Sequence, residues 1–480
     1  MAISNFRSLR ARSRQRGAAL LLLMLAVIIA MTTVLVVALN TDRLQTRAQV
    51  DSRAMLARAR EALIDYAILQ PYIAIGEPFA LPCPDIDGSG GFLEGEAHTA
   101  NCGAAGQTVI GRLPWRALGL PALKDAASEC LWYVVSGSWK RAGSSTAAMI
   151  NPDSNGQLQL ASVDTGVILE GTDPANRPVA MVIAPMRPLS GQSRPSMTPS
   201  SQCSPGFVAS NFMEEDAGSG TSNYQLAGTA DVLDALGVAT NPNETHNDRI
   251  VTITRTDIAE RIYGRPAFNN EMRDLGLAAA SCLANYAARN PGGASDLRLP
   301  WPAPVPLPDY RQDVEYDDTA SGLLAGRLAD TVDDSNVLTG NTINRVLSDC
   351  DASQVPQWSA QMLSYWQTWK DHYFYAVAGS FAPSAAVPSV CTDCLSVNGA
   401  GQYAAILMFA NRRLQSSAQR RDAPPLDADT KQETANYLEG TNLANVPGNG
   451  TSTDYTSQAA STTFNDMLFC IDENLAVLEC

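Results

Sequence analysis

The first seventy residues combine one long apolar run with a helical pattern that follows it. The run covers 18–39 without a charged residue, and as a helix its 22 residues would rise about 33 Å, enough to cross a bilayer core of roughly 30 Å. From 40 to 70, apolar residues recur at steps of three and four among Arg, Gln and Asp. The pattern predicts a transmembrane helix at 18–39 that continues as an amphipathic helix over 40–70.

The charges before this run predict its orientation. Five arginines and no acidic residue lie in the basic leader 1–17, so the positive-inside rule keeps the N-terminus in the cytoplasm. No small-residue cleavage pattern follows the run, which distinguishes it from a secretory signal peptide. We therefore predict a single-pass protein of the inner membrane, with the bulk of the chain periplasmic or in an extracellular filament.

The rest of the chain contains an internal repeat. The segment Leu131–Trp139 (LWYVVSGSW) resembles Tyr373–Phe381 (YFYAVAGSF), and five further blocks recur in the same order. Agreement of order across so many blocks favours two copies of one module, covering 54–264 and 270–480.

The pattern of each copy predicts a helix, then a loop rich in Pro and Gly, and then short apolar strands. A helix that lies across a mostly antiparallel sheet is a stable two-layer arrangement. The predicted fold class is therefore α+β, with the transmembrane helix and its amphipathic extension followed by two tandem helix-on-antiparallel-sheet modules. Long polar segments such as Ser190–Gly206 and Asn442–Ser461 are predicted to be surface loops.

The composition limits the partners. The 480 residues carry a net charge of −15, and the part after Gly17 carries −20 because the leader is basic. A surface this acidic disfavours nucleic acid and makes divalent cations plausible partners. Apolar residues make up 45 % of the chain, which is enough to form packed cores.

Ten cysteines, all beyond the apolar run, are typical of an oxidising compartment. Short spacings predict three disulfides, which are Cys83–Cys102, Cys391–Cys394 and Cys470–Cys480. The sequence leaves four cysteines without an assigned partner, namely Cys130, Cys203, Cys282 and Cys350. The CxxC at 391–394 has both a redox and a structural interpretation, and its loop-like surroundings favour the structural one.

One glycine-rich segment has the spacing of a calcium loop. It places Asp85, Asp87 and Ser89 at alternate positions, and Glu96 at the twelfth. Alternate oxygen ligands, a central glycine and a final bidentate carboxylate are the pattern that binds Ca²⁺, and Glu94 adds a further carboxylate. The alternative is a structural loop that the neighbouring disulfide closes.

Catalytic motifs are absent from the sequence. Only three histidines occur, and there is no HExxH pair, no GxSxG elbow and no phosphate-binding loop. We therefore predict that the protein is not an enzyme. The aromatic stretch that contains Trp358, Trp366 and Trp369 is interpreted as core.

The N-terminal motif QRGAALLLL, a basic leader that ends in Gly before an apolar helix, resembles type IV pilins and type II secretion pseudopilins. The resemblance implies cleavage by the prepilin peptidase after Gly17 and methylation of the new N-terminus at Ala18. Two features depart from the common pattern: Ala18 stands where Phe or Met is usual, and Leu22 stands where most members carry Glu. K-type minor pseudopilins also lack that Glu.

The resemblance implies two pilin-like modules in a minor pilin or pseudopilin, whose partners are other such subunits, the prepilin peptidase and the inner membrane. The large head and Leu22 favour the tip of a filament, since the missing Glu would otherwise neutralise a neighbouring N-terminus. The alternative is a membrane-tethered periplasmic binding or adhesive protein, which could depend on calcium. Cleavage after Gly17 distinguishes the two.

Overall fold

The computed structural model describes residues 16–73, 78–87, 93–98, 102–140, 149–196, 201–289, 297–319, 322–333, 344–385, 390–447 and 453–480. Residues 1–15 of the predicted leader and Ser89 of the predicted calcium loop lie outside this description.

Up to residue 264 the described chain contains two helices and nine strands: α1 (Arg16–Ile73), β1 (Val109–Arg112), β2 (Trp132–Val135), β3 (Leu158–Ser162), β4 (Ile168–Glu170), β5 (Pro178–Ala184), β6 (Glu215–Asp216), β7 (Thr221–Ser222), β8 (Asp234–Val238), β9 (Arg249–Thr254) and α2 (Arg255–Tyr263). The described part that follows contains three helices and seven strands: α3 (Phe268–Arg289), β10 (Ala325–Arg327), α4 (Ala360–Trp369), β11 (Tyr373–Val377), β12 (Leu395–Val397), β13 (Ala400–Phe409), α5 (Gly440–Asn445), β14 (Asp454–Tyr455), β15 (Met467–Asp472) and β16 (Val477–Glu479). We call these parts the first half and the second half.

Each half is built on an antiparallel sheet with the same strand order. The first sheet has the order β1-β2-β5-β9, and the second contains the path β10-β11-β13-β15. The register is also the same. Across the first sheet Arg112 lies opposite Trp132, which lies opposite Ile183. Across the second, Arg327 lies opposite Phe374, which lies opposite Met408.

A helix covers one face of each sheet. In the first half Leu56, Leu63 and other residues of α1 are buried against the sheet at helical spacing. In the second half α3 packs on β13 and β15 through residues such as Leu275. Gly276 permits close packing there, because a Cβ at this position would lie 2.1 Å from the ring of Phe469. The two halves share one apolar core, in which Phe79 of the first contacts Trp369 of the second.

Smaller strands complete the first half. β4, β3 and β8 form a three-stranded sheet, and β6 pairs with β7. A second apolar cluster lies between this small sheet and the back of the first sheet, and it contains Trp132, Leu158, Met181 and Leu236. The first sheet is therefore covered on both faces, by α1 on one side and by strands on the other.

Among the residues that the structure describes, no helix combines the length and the apolar composition needed to cross a membrane. The predicted transmembrane helix at 18–39 and the predicted single-pass location in the inner membrane are therefore wrong.

The predicted fold class is wrong as well. The predicted amphipathic helix over 40–70 is not seen, because the apolar residues of α1 do not form one continuous face along Arg16–Ile73. The main sheet of each half is antiparallel, as predicted, and parallel pairing occurs only beside it, where β3 pairs with β8 and β12 pairs with β14 among the described strands. One polar segment predicted as a loop, Asn442–Ser461, contributes β14, because its backbone groups need hydrogen-bond partners where they pack on the core.

Candidate functional site

The two halves meet at a seam that is unusually rich in buried charge. The first half contributes the loop around Asp153, whose carboxylate is fully buried. Its Oδ2 lies 2.9 Å from His372 Nε2 and 3.1 Å from Arg421 Nη1, and its Oδ1 lies 2.8 Å from Arg413 Nε. All three partners belong to the second half, so Asp153 joins the halves electrostatically.

The surroundings of Asp153 explain its ionised state. Burial alone would raise its pKa, but the guanidinium groups of Arg421 and Arg413, together with His372, hold the pKa of Asp153 well below its ordinary value. Asn151 supports the same loop, because its side-chain amide donates to the carbonyl of Thr368 at 3.0 Å. The buried carboxylate is thus a charged partner with fixed geometry, which is the condition for a favourable buried ion pair.

A second ion pair lies beside the first. Asp371 accepts a hydrogen bond from Lys431 Nζ, and both side chains are almost completely buried. Burial would raise the pKa of Asp371, but Lys431 and His372 lower it below its ordinary value. Arg327 donates to the carbonyls of both Asp371 and Lys431 at 2.6 Å, so it fixes the two backbone segments that carry the pair.

Two more pairs cross the seam from the first half to the second. Arg255 Nη2 lies 3.3 Å from Asp422 Oδ1, and Arg177 Nη1 lies 2.8 Å from Asp427 Oδ2. Burial lowers the pKa of Arg255 to about 10, which still leaves it charged at neutral pH. The seam therefore contains several carboxylates and cations whose partners lie on opposite sides.

A cavity of about 270 Å³ opens at this seam. Its walls come from both halves and include Asp153, Asn155, Tyr310 and Asp427. Their polar atoms already bond within the protein: Asn155 donates to Asp427 at 2.8 Å, and the Tyr310 hydroxyl donates to Asp429 at 3.2 Å. The volume lies near the lower limit of small-molecule pockets, and its walls have few unused donors.

The histidine of the seam is not arranged as a general base. Its Nδ1 lies 2.6 Å from the carbonyl oxygen of Ala410, and its Nε2 faces the Asp153 carboxylate. Arg421 Nη1 also lies 3.1 Å from Nδ1. Both ring nitrogens of His372 are thus engaged by groups of the protein itself, which leaves neither free to take a proton from a nucleophile. All ten cysteines are in disulfides, so none is a free thiol.

The first half has a counterpart of this environment with different residues. From the shared register, Cys130 occupies the position of His372, and Glu129 occupies the position of Asp371. Cys130 forms a disulfide with Cys203, and Glu129 accepts a hydrogen bond from the Ser204 hydroxyl at 2.8 Å.

An arginine surrounded by aromatic rings is common to both halves. Arg112 lies 5.3 Å from the ring centroid of Phe212, and Arg327 lies 5.0 Å from that of Tyr437. Arg112 also donates to the carbonyl of Ser204, as Arg327 does to that of Lys431. In both halves, therefore, an arginine at the sheet edge fixes a distant loop.

Each half also buries a Glu–Asp pair. The backbone N–H of Glu214 donates to Asp248 Oδ2 at 3.2 Å, and that of Asp248 donates to Glu214 Oε2 at 3.1 Å. In the second half Glu439 N donates to Asp466 Oδ2 at 3.1 Å, and Asn465 N donates to Glu439 Oε2 at 3.0 Å. In the first half these contacts hold the segment after β5 against the start of β9. In the second half they hold the segment after β13 against the start of β15.

An asparagine completes each pair. Asn223 Nδ2 donates to Asp248 Oδ2 at 2.8 Å, and Asn442 Nδ2 donates to Asp466 Oδ2 at 3.0 Å. Burial and then the neighbouring glutamate raise the pKa of Asp248 and that of Asp466 well above their ordinary value. Each of these aspartates therefore keeps its proton to a higher pH than an exposed carboxyl group does.

The residues of the predicted calcium loop make other contacts. Asp85 Oδ2 accepts from the backbone N–H of Gly95 at 2.7 Å, and burial raises the pKa of Asp85 to about 6. Glu94 Oε1 accepts from the N–H of Cys203 at 2.6 Å, and Glu96 accepts from that of Leu93 at 2.9 Å.

Asp87 of the same loop lies 3.2 Å from His98 Nε2. In the parts of the chain that the structure describes, no three potential ligands come together to hold a metal ion. Calcium binding by this loop therefore stays a prediction from sequence spacing.

Five disulfides are present. Three join Cys83 to Cys102, Cys391 to Cys394 and Cys470 to Cys480, and the other two join Cys130 to Cys203 and Cys282 to Cys350. The last two close segments of 73 and 68 residues, and the spacing of the cysteines along the sequence did not indicate these pairings.

Gly17 and Ala18, the predicted processing site, lie in the first turn of α1.

Sequence reasoning did not find the residues of the seam. The repeat does not align Arg421 with its structural counterpart Arg194, because at the constant offset of 225 residues Arg194 lies opposite Gln419. Both donate to equivalent carbonyls: Arg194 Nε to Asn211 at 3.1 Å and Arg421 Nε to Asn436 at 2.6 Å.

Comparison with known proteins gave no matching family model, no matching curated protein and no matching solved structure.

Proposed function

We propose that this chain is a structural subunit of a filament of the pilin or pseudopilin type. The observation that carries the proposal is the exposed apolar part of α1. Large apolar side chains are exposed at consecutive positions there, from Leu21, which is 72 % exposed, to Ile28, which is 57 % exposed. The same helix continues without a break into the segment that packs on the first sheet.

The distribution of these side chains favours several neighbours rather than one. Successive residues of a helix point about 100° apart, so Leu21 to Leu25 alone surround the helix axis. A single partner helix would cover one stripe of this surface and leave the others in water. Equivalent helices of several other copies or related subunits would cover all sides, as in the centre of a filament.

The head supports the same proposal. We infer that its two halves arose by duplication of one helix-on-sheet unit, since their strand order, register and buried Glu–Asp pairs agree. A double head is easier to accommodate at the tip of a filament than within a regular shaft. Leu22, which stands where the resembled family usually carries Glu, also favours the tip.

The proposal is tested by placing a charge on the exposed apolar segment. Ile28→Asp should reduce cross-linking between subunits at least tenfold in intact cells, because a carboxylate is costly to bury among apolar helices. Melting of the head should not change, since residue 28 lies far from the buried face that begins near Leu56. Cross-linking yield and thermal unfolding are the two measurements.

Val167→Asp is the matched control. Val167 is also 57 % exposed but lies beside β4, on the surface of the head. Equal cross-linking of the two variants would contradict the filament proposal. That result would favour a binding or adhesive protein, for which the cavity at the seam is the specific supporting observation.

A further inference from the structure

The five disulfides differ in how far solvent can reach them. In four of them at least one cysteine is buried, as are Cys83, Cys130, Cys282 and Cys470. Cys391 and Cys394 are both only partly buried, and the two residues between them are exposed. Val390, which precedes them, is 57 % exposed. This disulfide is therefore the one in which neither cysteine is buried, whereas Cys350 and Cys480 are each partly buried but joined to a buried cysteine.

The same disulfide also constrains the chain least. Its cysteines are 3 residues apart, whereas Cys130 and Cys203 are 73 apart. The stabilisation from a disulfide grows with the logarithm of the loop that it closes, so the short bridge contributes least in this respect.

Other contacts hold the loop in place. The carboxylate of Asp393 accepts from the backbone N–H of Ser380 at 3.0 Å. The segment then enters β12, where Leu395 is buried and pairs with Tyr403. These anchors do not depend on the sulfur–sulfur bond, so the loop can lose the bond and keep its position.

The surroundings do not resemble those of a thiol-disulfide catalyst. Such enzymes place the first cysteine at a helix N-terminus, which stabilises its thiolate. Here both cysteines lie in a loop that leads into a strand, and the exposed Asp393 lies between them. A negative charge beside the sulfurs disfavours a thiolate, so this CxxC is suited to being reduced rather than to catalysing exchange.

We propose that Cys391–Cys394 is a thiol-exchange site, reduced selectively by a dithiol while the other four disulfides remain intact. A thiolate of the dithiol attacks one sulfur, which forms a mixed disulfide and releases the other cysteine as a thiolate. The second thiol of the reagent then attacks the mixed disulfide. The dithiol leaves as a disulfide, and Cys391 and Cys394 become thiols, so two electrons and two protons have passed to the protein.

The test is graded reduction of the native full chain with dithiothreitol, followed by alkylation and peptide mass spectrometry. Cys391 and Cys394 should reach half-modification at a dithiothreitol concentration at least tenfold below that of any other cysteine. Circular dichroism should not change over that range. Reduction of any other pair at the same or a lower concentration would overturn the proposal.

The double variant with Cys391→Ser and Cys394→Ser is the control. It should lose the first reduction phase and keep the concentrations at which the other four pairs are reduced. If removal of these cysteines instead makes a second pair reducible at low dithiothreitol, the bridge is structural and the proposal fails. Neither result depends on the proposed filament function.

Discussion

Where the first half carries Cys130, joined to Cys203, the second half carries His372, which contacts Asp153. The backbone on which they stand has the same strand order and register in both halves. A disulfide requires no further partner, whereas buried charges require neutralising groups close by. The second half receives one of these groups, Asp153, from the first. The difference shows how a change from covalent to ionic chemistry can join two similar units.

The largest change in the free energy of unfolding is expected at Asp371, which pairs with the buried Lys431. Its counterpart Glu129 instead accepts a hydrogen bond from Ser204. Asp371→Asn leaves Lys431 buried without a charged partner, and breaking a buried pair in this way costs about 3–5 kcal/mol. Glu129→Gln removes the charge but keeps an oxygen that can accept from the Ser204 hydroxyl, so a cost of at most about 1 kcal/mol is expected. The free energy of unfolding from denaturant titration measures both.

Acid should alter this contrast in a defined direction. Because the pKa of Asp371 is lowered, its contribution is present above the ordinary value of about 4 and is lost as pH falls through the lowered pKa. The deficit of Asp371→Asn relative to the natural chain should therefore be constant from pH 8 to pH 5 and should shrink below about pH 4. Equal costs for the variants at the two positions would mean that the ion pair is not needed in the second half.

A smaller effect is expected from the disulfide at the same place in the first half. Replacing Cys130 and Cys203 by Ser should cost up to about 4 kcal/mol from loop closure, against about 2 kcal/mol for Cys391 and Cys394. Hydrogen exchange should increase in β2 more than in β11, since the link lies beside β2. An equal increase in hydrogen exchange in β2 and β11 would show that the halves unfold as one unit.

The smallest effect concerns the Glu–Asp pairs, which the halves share. Raised pKa values of Asp248 and Asp466 mean that the contribution of the protonated pair is complete below about pH 4 and is lost as pH rises through those pKa values. Asp248→Asn and Asp466→Asn cannot ionise, and their amide groups can donate to the glutamates. Each should therefore be more stable than the natural chain at pH 8, by on the order of 1 kcal/mol.

Thermal unfolding at pH 4 and pH 8 measures this effect. The change in thermal stability relative to the natural chain should have the same sign in both variants, because both pairs make the same contacts. A variant less stable than the natural chain at pH 8 would mean that the pair is ionised there and stabilises the fold. Stability changes of opposite sign for Asp248→Asn and Asp466→Asn would mean that the two halves share a backbone fold but not the energetics of their Glu–Asp pairs.

The apolar runs of the sequence indicated much of the two sheets, since such runs coincide with β2, β5 and β9. Local periodicity carries that information because a strand of a buried sheet needs apolar residues along its own length. Asp153 and Arg421 could not be paired in this way, since their contact depends on how two loops 268 residues apart meet. The membrane prediction failed because an apolar run alone does not determine what surrounds it.

The sequence separation at the seam has a consequence for the time course of synthesis. Asp153 leaves the ribosome 268 residues before Arg421, and at 5–20 residues per second the delay is about 13–54 s. During that interval the chain does not yet contain the Arg421 guanidinium that neutralises the Asp153 carboxylate in the folded protein. The seam can therefore close only after Arg421 has been made, which makes the joining of the two halves a late step of folding.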